Sequence, residues 1–484
     1  MPRILTHPRV APRRGGRDGT GGYAPRAVSR PSTKPVSGMK DHLPGAALRR
    51  RAAVRRIEDA FATHGFVPLE TPAMERLSTL LGKYGEEGDR LIYRILHRGA
   101  RLDRALGREA PGPTDLADLG LRYDLTVPLA RVAAQYRGKL PSVFRRYQIQ
   151  PVWRADRAQR GRLREFTQCD ADIVGSRSPV ADAETVACLH AALRALGFRG
   201  FTILLNHREL LRGLTAACGI PGSAEEPTLV ALDKLDKIGA SGVRRELEKL
   251  PEVGARRASR LLELVAPPGE DAGEWSPDPA LERVAEQLAP GPGRTAAAEL
   301  RDLLDLLGDA LGADRDAVRF APGLARGLSY YTGPIFEVVA AGGAGSLAGG
   351  GRYDGLVGMF GGRDIPAVGF SLGLERLLLL LEETGGDASP PAGPTARLCP
   401  LRGVTAGEVL KVARRLRAAG VHLEVAMKPR PLGRHLARAA AAGLPFALVL
   451  GPDEAAAGAC TVRNLTTRTQ QTAPLPEVPT LLSD

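Results

Sequence analysis

Apolar residues recur at helical spacing from Gly45 to His64, where Leu48, Val54, Ile57 and Phe61 share one side and Gly65 stands ready to end the helix. A strand-like run, Phe66–Leu69, follows and closes at Thr71-Pro72; a proline cannot donate to a central ladder, so this strand is expected at an edge or an interface. Residues 76–116 read as an irregular excursion around a short strand, Leu91–Ile95. Gly120 to Pro128 reads as a strand turning into a helix over about Val127–Ala134. Alternation of period two sets in at Tyr147, Ile149, Pro151 and Trp153, breaks at a polar loop, and resumes from Glu165 to Val174, which predicts a hairpin with a long charged tip.

Beyond the hairpin, Ala181–Leu196 is amphipathic and Phe201–Leu205 is strand-like. Residues 207–315 change character, with helical patterns over Leu229–Lys249, Ala255–Val265 and Ala296–Leu311 and a Pro/Gly/acidic interruption at 266–280, and they read as a helical insertion. Sheet signals return over 325–339. A glycine-rich turn, Ala341–Gly351, leads to Arg352-Tyr353-Asp354, and a strand from Val368 runs into a leucine-rich helix over 374–382. Gly385–Thr395 has the composition of a linker. After it strands alternate with helices (397–401, 406–419, 421–425, 432–442, 446–450, 461–465), which predicts a small, mostly parallel sheet with helices on its faces.

A length of 484 residues with 43% hydrophobic content supports a large core split over two or three domains. No apolar run approaches membrane-spanning length, and the longest is Leu377–Leu381. Cys169, Cys188, Cys218, Cys399 and Cys460 show no C-x-x-C spacing, so neither a disulfide framework nor a zinc site is indicated, and a reducing cytoplasm is expected. The net charge of +13 sits at the two ends. Residues 1–35 hold eight Lys/Arg against Asp18, residues 395–484 hold twelve against six acids, and the middle is neutral. The first 35 residues combine Arg with Pro and Gly and lack apolar periodicity, so a disordered basic tail is expected there, either a mistaken start or a nonspecific RNA-binding segment. A basic folded C-terminal module points to a polyanionic partner, with nucleic acid foremost.

Seven arginines and one acid, Asp156, lie between Arg145 and Arg164. Guanidinium forks bind phosphate oxygens and stay charged at any working pH, so an anionic ligand is expected at the hairpin tip; a solvated surface is the plain alternative. Gln168, Asp170 and Asp172 share one face of the return strand. Asp124 and Thr126 either converge on one ligand or cap the following helix. Gly343, Gly345 and Ala348 satisfy a dinucleotide-binding pattern after a strand, but three more glycines follow where a helix should open, so a flexible hairpin or lid is the better account.

Five stretches in order carry a resemblance: the strand ending at Pro72, RADRAQRGRLREF (154–166), ARGLSYYTGPIFE (325–337), GGGRYDGLVGMFGG (349–362) and Gly373-Leu-Glu-Arg376. Over about Ser37–Gln471 the chain resembles the class II aminoacyl-tRNA synthetases and, among them, the histidyl-tRNA synthetase family. The resemblance implies an α+β fold: a class II antiparallel sheet flanked by helices, in two parts (36–206 and 316–384) around the insertion 207–315, with an α/β anticodon-binding domain at 396–484. It implies histidine activation by ATP and transfer to tRNA(His) by a homodimer. Arg154 and Arg326 would be catalytic. Asp124, Thr126, Arg154, Gln168, Asp172, Arg326, Tyr330 and Tyr331 would bind histidine. Arg154, Asp156, Arg162, Phe166 and Arg376 would bind ATP, with adenine between Phe166 and Arg376 and Mg2+ bridging the phosphates, and no metal held by the protein alone. Arg414, Arg430 and Arg434 are the candidate tRNA contacts. Ser329, Ala158 and Leu163 depart from the family's usual Asp, Pro and aromatic residue. The rival is the synthetase-like regulatory subunit of ATP phosphoribosyltransferase, which lacks the C-terminal module and the Arg-Gly-Leu-x-Tyr-Tyr segment; both stand here, at 396–471 and 325–331.

Overall fold

The structure, a computed structural model, describes residues 32–159, 161–266, 277–326, 330–340, 346–361, 363–383 and 395–482. Most of the basic tail (1–31), most of the linker (384–394), the interruption 267–276 and Ser329 lie outside the described residues.

The centre is an eight-stranded sheet. In chain order its strands are β1 (Val67–Pro68), β2 (Phe144–Trp153), β3 (Glu165–Val174), β4 (Phe201–His207), β5 (Val318–Phe320), β6 (Pro334–Ala340), β7 (Ser346–Arg352) and β8 (Ala367–Gly373). Their spatial order is β1-β2-β3-β8-β7-β6-β4-β5. The interior pairings are antiparallel, while β1 with β2 and β4 with β5, at the two edges, are parallel. The proline-marked strand is thus an edge strand.

Period two divides β3 cleanly. Cys169, Ala171 and Ile173 are buried on one face with Ile57 and Phe61 of helix Pro44–Thr63, Val186 and Leu189 of helix Pro179–Ala195, and Leu377 and Leu381 of helix Leu374–Glu383. Phe61 packs its ring 5.6 Å from Tyr147 and 5.7 Å from Phe370, and burying such a side chain contributes about 1.5–3 kcal/mol. Helix Pro44–Thr63 begins on a proline whose φ is already helical and is followed by Gly65 at φ 76°, the left-handed position that only glycine takes at little cost. Ser178 caps helix Pro179–Ala195 by accepting from Val180 N–H.

Gln168, Asp170 and Asp172 face the other way, toward a second apolar cluster. That cluster joins helix Thr126–Gln135, the tyrosines at 330, 331 and 353, and helices drawn from 208–311. Leu229–Lys249 is not one helix but two, Glu225–Leu232 and Leu235–Glu248, the second kinked at Gly239 with φ 65°. Residues 74–121 form a small sheet, with Ala117–Leu121 between Met74–Arg76 and Arg94–Leu96. Gly349, Gly350 and Gly351, read from sequence as part of a flexible turn, lie buried in β7 near the middle of the sheet.

The C-terminal sheet comprises β9 (Ala396–Pro400), β10 (Leu423–Val425), β11 (Phe446–Leu450), β12 (Ala459–Asn464) and β13 (Gln470–Pro474), in the order β10-β9-β11-β12-β13. Only the pairings of β9 with β10 and with β11 are parallel; β11-β12-β13 is an antiparallel meander, so the sheet is mixed rather than mostly parallel. Helix Ala406–Ala418 opens on a capping box, Thr405 with Glu408. Among the described residues no helix is long and apolar enough to cross a membrane.

Candidate active site

The register of β3 with its neighbours builds the site. Across β8, Gly373 stands opposite Gln168, Ser371 opposite Asp170 and Gly369 opposite Asp172. A Cβ on Gly369 would come 1.9 Å from Asp172 Oδ1, so this carboxylate can occupy its place only because the facing residue has no side chain. On the other flank, β2 sets Arg146 opposite Asp172 and Gln148 opposite Asp170. Arg146 is completely buried, with Nη2 2.8 Å from Asp172 Oδ2, and Tyr353 donates its hydroxyl to Asp172 Oδ1.

Asp124, Asp170 and Asp172 are all buried within electrostatic reach of the buried guanidinium of Arg146, and Asp124 also feels Arg154. Burial raises all three carboxyls above their usual range, and Asp170 is pushed up to about 8 by burial despite Arg146, with Asp172 adding to the rise. The cluster is short of positive charge. It also holds acceptors without hydrogen-bond partners among the described residues, Gln168 Oε1 and Asp170 Oδ1. Buried polar atoms left in that state cost free energy unless something donates to them, so the arrangement is one that a cationic, donor-rich ligand completes.

Aromatic residues wall this cluster. Tyr84 donates to Asp124 Oδ1 at 3.0 Å, and the same oxygen accepts from Val127 N–H at 3.1 Å at the start of helix Thr126–Gln135. Asp124 thus caps the first turn of that helix, and the Thr126 hydroxyl lies close enough to Tyr330 to be felt by its phenol. Tyr330 stacks 4.9 Å from Tyr331 and edge-on 5.9 Å from Tyr353. Tyr331 lies within electrostatic reach of Arg326, Asp172 and Asp170 at once, which ties the arginine segment to the acidic strand. Arg326 pairs with Glu337 at 3.2 Å, and its guanidinium lies against Gly349, where a Cβ would fall 1.9 Å from Nη1.

Arg154 sits at the base of the hairpin tip. Its Nε donates to Tyr123 O at 3.1 Å, and its guanidinium carbon lies 4.2 Å from the Tyr123 ring and 5.1 Å from the Phe166 ring. Arg154 is within electrostatic reach of Asp124. The remaining nucleotide candidates are engaged with protein groups: Arg162 with Asp156 at 3.0 and 3.1 Å, and Arg376 with the carbonyl of Ser346. Phe166 offers a ring face to Arg154. In the C-terminal domain Arg414 and Arg434 are exposed, and Arg430 donates its backbone N–H to His435. Two clefts of about 440 and 220 Å³ open instead beside helix Pro44–Thr63. The larger is lined by His42 and by that helix, and the smaller also by Leu163 and by Glu375 and Leu379 of helix Leu374–Glu383, with no residue of the acidic strand in either.

Arg146, Tyr84, Tyr353 and Ser371 were not singled out as site residues from sequence. Arg146 was hidden among seven arginines, Tyr353 stood inside a quoted motif, and the place of Ser371 depends on strand register.

The histidyl-tRNA synthetase family model matches residues 38–377, and an anticodon binding domain model matches residues 396–484. The chain is 40% identical over 466 residues to the histidine–tRNA ligase of Gloeobacter violaceus, covering 91% of this chain and 96% of that one. It is 41% identical over 424 residues to the histidine–tRNA ligase of Leifsonia xyli subsp. xyli, covering 86% and 95%. The crystal structure of histidyl-tRNA synthetase from Nostoc sp. PCC 7120 superposes with a TM-score of 0.77 at 27% identity, covering 94% of this chain and 99% of that one. A structure described as an ATP phosphoribosyltransferase regulatory subunit/histidyl-tRNA synthetase, from Bacillus halodurans C, shares the fold at a TM-score of 0.69 and 22% identity. With both models matching in order along most of its length, this chain belongs to the histidyl-tRNA synthetase family of ATP-dependent aminoacyl-tRNA ligases.

Proposed function

We propose that the cluster around Asp124, Gln168, Asp172, Arg154 and Arg326 is where L-histidine is activated by ATP and from which it is passed to tRNA(His). In the first step a carboxylate oxygen of histidine attacks the α-phosphorus of ATP and the α–β phosphoanhydride bond breaks, releasing diphosphate. In the second a hydroxyl at the 3′ end of the tRNA attacks the histidyl carbonyl, releasing AMP. The enzyme needs no nucleophile of its own for either step, only positioning and positive charge. Asp124, Thr126 and Gln168 take the substrate ammonium. Asp172 and Tyr331, with Tyr330 beside them, read the imidazole nitrogens, and a pocket that bonds both rejects analogues lacking them. Arg154 holds the α-phosphate and the carboxylate, and Arg326 stabilises the charge that grows on the phosphorus. Asp156 lies near adenine, which Phe166 and Arg376 enclose, and Arg162 and Arg376 hold the distal phosphates once drawn from their present partners.

Among the described residues no group of three or more His, Cys, Asp or Glu is placed to hold a metal by itself. Mg2+ would bind through the triphosphate oxygens, where it neutralises charge on the phosphates. The division of the chain into 36–206, 207–315, 316–384 and 396–484 follows from the same reading, as do tRNA contact through Arg414, Arg430 and Arg434, pairing of two subunits along the Pro72 edge, and a cytoplasmic location.

The observation that carries this reading is the pair of buried acceptors on β3, Gln168 Oε1 and Asp170 Oδ1, left without a hydrogen-bond partner among the described residues beside the carboxyls of Asp124 and Asp172. Aminoacylation of total tRNA with each of the amino acids in turn tests it. Histidine alone should be attached; attachment of another amino acid, or of none, would overturn it.

A further inference from the structure

Gln168 can serve an ammonium group only through Oε1, because its Nε2 is itself a donor. Its two ends are similar in size, so something has to decide which of them faces the ligand. Ser371, on the neighbouring strand, is placed to do so. Gln168 Nε2 donates to Ser371 Oγ at 2.6 Å, and Ser371 stands directly across the ladder from Asp170, whose carboxyl feels the serine hydroxyl. A hydroxyl carries one proton. Given to an acceptor oxygen of Asp170, which the carboxyl keeps whether it is ionised or carries its proton on the other oxygen, that proton leaves Oγ as an acceptor, which admits Nε2 and turns Oε1 away. Oε1 is the atom left buried and without a hydrogen-bond partner among the described residues, on a side chain only 7% exposed.

The sheet is built to make this possible. Ser371 lies opposite Asp170, one ladder step of two residues from the Gly373–Gln168 pair, so the amide of Gln168 reaches along the same face to the serine. Asp170 is held in turn among Arg146 and Gln148 from β2, Asp172 on its own strand and Asp124 from the segment before helix Thr126–Gln135.

We propose that Ser371 and Asp170 are positioning residues that hold the Gln168 amide with Oε1 turned toward the α-ammonium of the substrate, so that preference for an amino acid over its des-amino analogue is set from the adjacent strand. The proposal rests on the assignment of this cluster as the histidine site.

Histidine-dependent ATP–diphosphate exchange by the full-length chain separates the two. The quantities read are KM for histidine, KM for ATP and Ki for imidazolepropionate, which lacks the ammonium. With one charge-assisted hydrogen bond misdirected, Ser371→Ala should raise KM for histidine about tenfold, with KM for ATP and Ki for imidazolepropionate changed by less than about twofold. Ser371→Thr, which keeps the hydroxyl, should return KM for histidine to within about threefold of the parent. If Gln168→Ala raises KM for histidine and Ser371→Ala does not, the relay is wrong and the site stands. Parallel weakening of histidine and imidazolepropionate in Ser371→Ala would reduce the serine to a packing role and also overturn the relay. If Gln168→Ala itself leaves KM for histidine unchanged, the assignment of the site is overturned and the relay with it.

Discussion

Arg326 reaches its position because Gly349 has nothing to put in its way, and Asp172 reaches its own because Gly369 has nothing either. Charge placed this way is preorganised, and in the role proposed for Arg326 its value lies in the transition state rather than in substrate binding. Arg326→Ala should therefore slow adenylate formation by about 10² to 10³-fold while changing KM for ATP by less than about threefold, as read by single-turnover and exchange kinetics. Equal losses in rate and in ATP binding would remove that role. Asp170 supports a second test. Its carboxyl, pushed up to about 8 by burial, binds a proton in the folded chain at pH values where the unfolded chain, with an ordinary carboxyl near 4, has lost it. The stability this contributes is complete below about pH 4 and is lost as pH rises toward about 8. Asn cannot titrate, so Asp170→Asn should flatten the fall in stability between pH 5 and pH 8 by on the order of a kcal/mol, read from urea midpoints; parallel profiles would contradict the burial argument. The acidic face was legible in the sequence because a strand has period two, so Gln168, Asp170 and Asp172 had to point together. The glycines and the serine that make room for them were not, because which residue faces which depends on strand register, and register is decided by the whole sheet.

At the scale of elements, the hairpin and the long helices were readable where local chemistry and packing agree. Gly65 and the alternation from Tyr147 onward each mark a boundary or a face that the structure keeps. The misreadings have physical causes. The pattern over Leu229–Lys249 continues across a break, since apolar spacing alone does not register the turn at Asp233-Lys234 or the left-handed Gly239. The strand Gln470–Pro474 is polar and mostly exposed at a sheet edge, so it carries no alternation to detect. The three glycines of β7 look like a loop by composition, yet a central strand needs them there, because a Cβ on Gly350 would meet the carbonyl of Gly369 at 2.2 Å. The helix layer behind the sheet should be energetically separate from the chemistry in front of it. Phe61→Ala, which removes a ring wedged among Phe66, Tyr147 and Phe370, should cost about 3–5 kcal/mol of stability. The exchange rate per folded molecule should stay near the parent value. A variant that keeps its stability but loses exchange would place Phe61 in the wrong role.

Across the whole chain the net positive charge sits at the two ends, away from the neutral middle that carries the acidic strand. Twelve Lys and Arg against six acids fall in residues 395–484, matched by an anticodon binding domain model, and among them Arg414 and Arg434 are exposed. Replacing Arg414, Arg430 and Arg434 together by Ala should weaken tRNA charging about tenfold or more and lower the salt dependence of tRNA binding by roughly two to three in log–log slope. Histidine-dependent exchange, which needs no tRNA, should be unaffected; a fall in exchange as well would mean that these arginines support the fold or the active site. Every part of the account depends on a single small cavity in which the imidazole meets Asp172 and the α-phosphate meets Arg326. The most direct measurement is a crystal structure of the full chain with a non-hydrolysable histidyl-adenylate analogue. The account predicts the ammonium at Gln168 Oε1, the imidazole nitrogens within hydrogen-bond distance of Asp172 and Tyr331, and the phosphate between Arg154 and Arg326. An analogue bound elsewhere, or in this cavity with its imidazole turned away from Asp172, would contradict it.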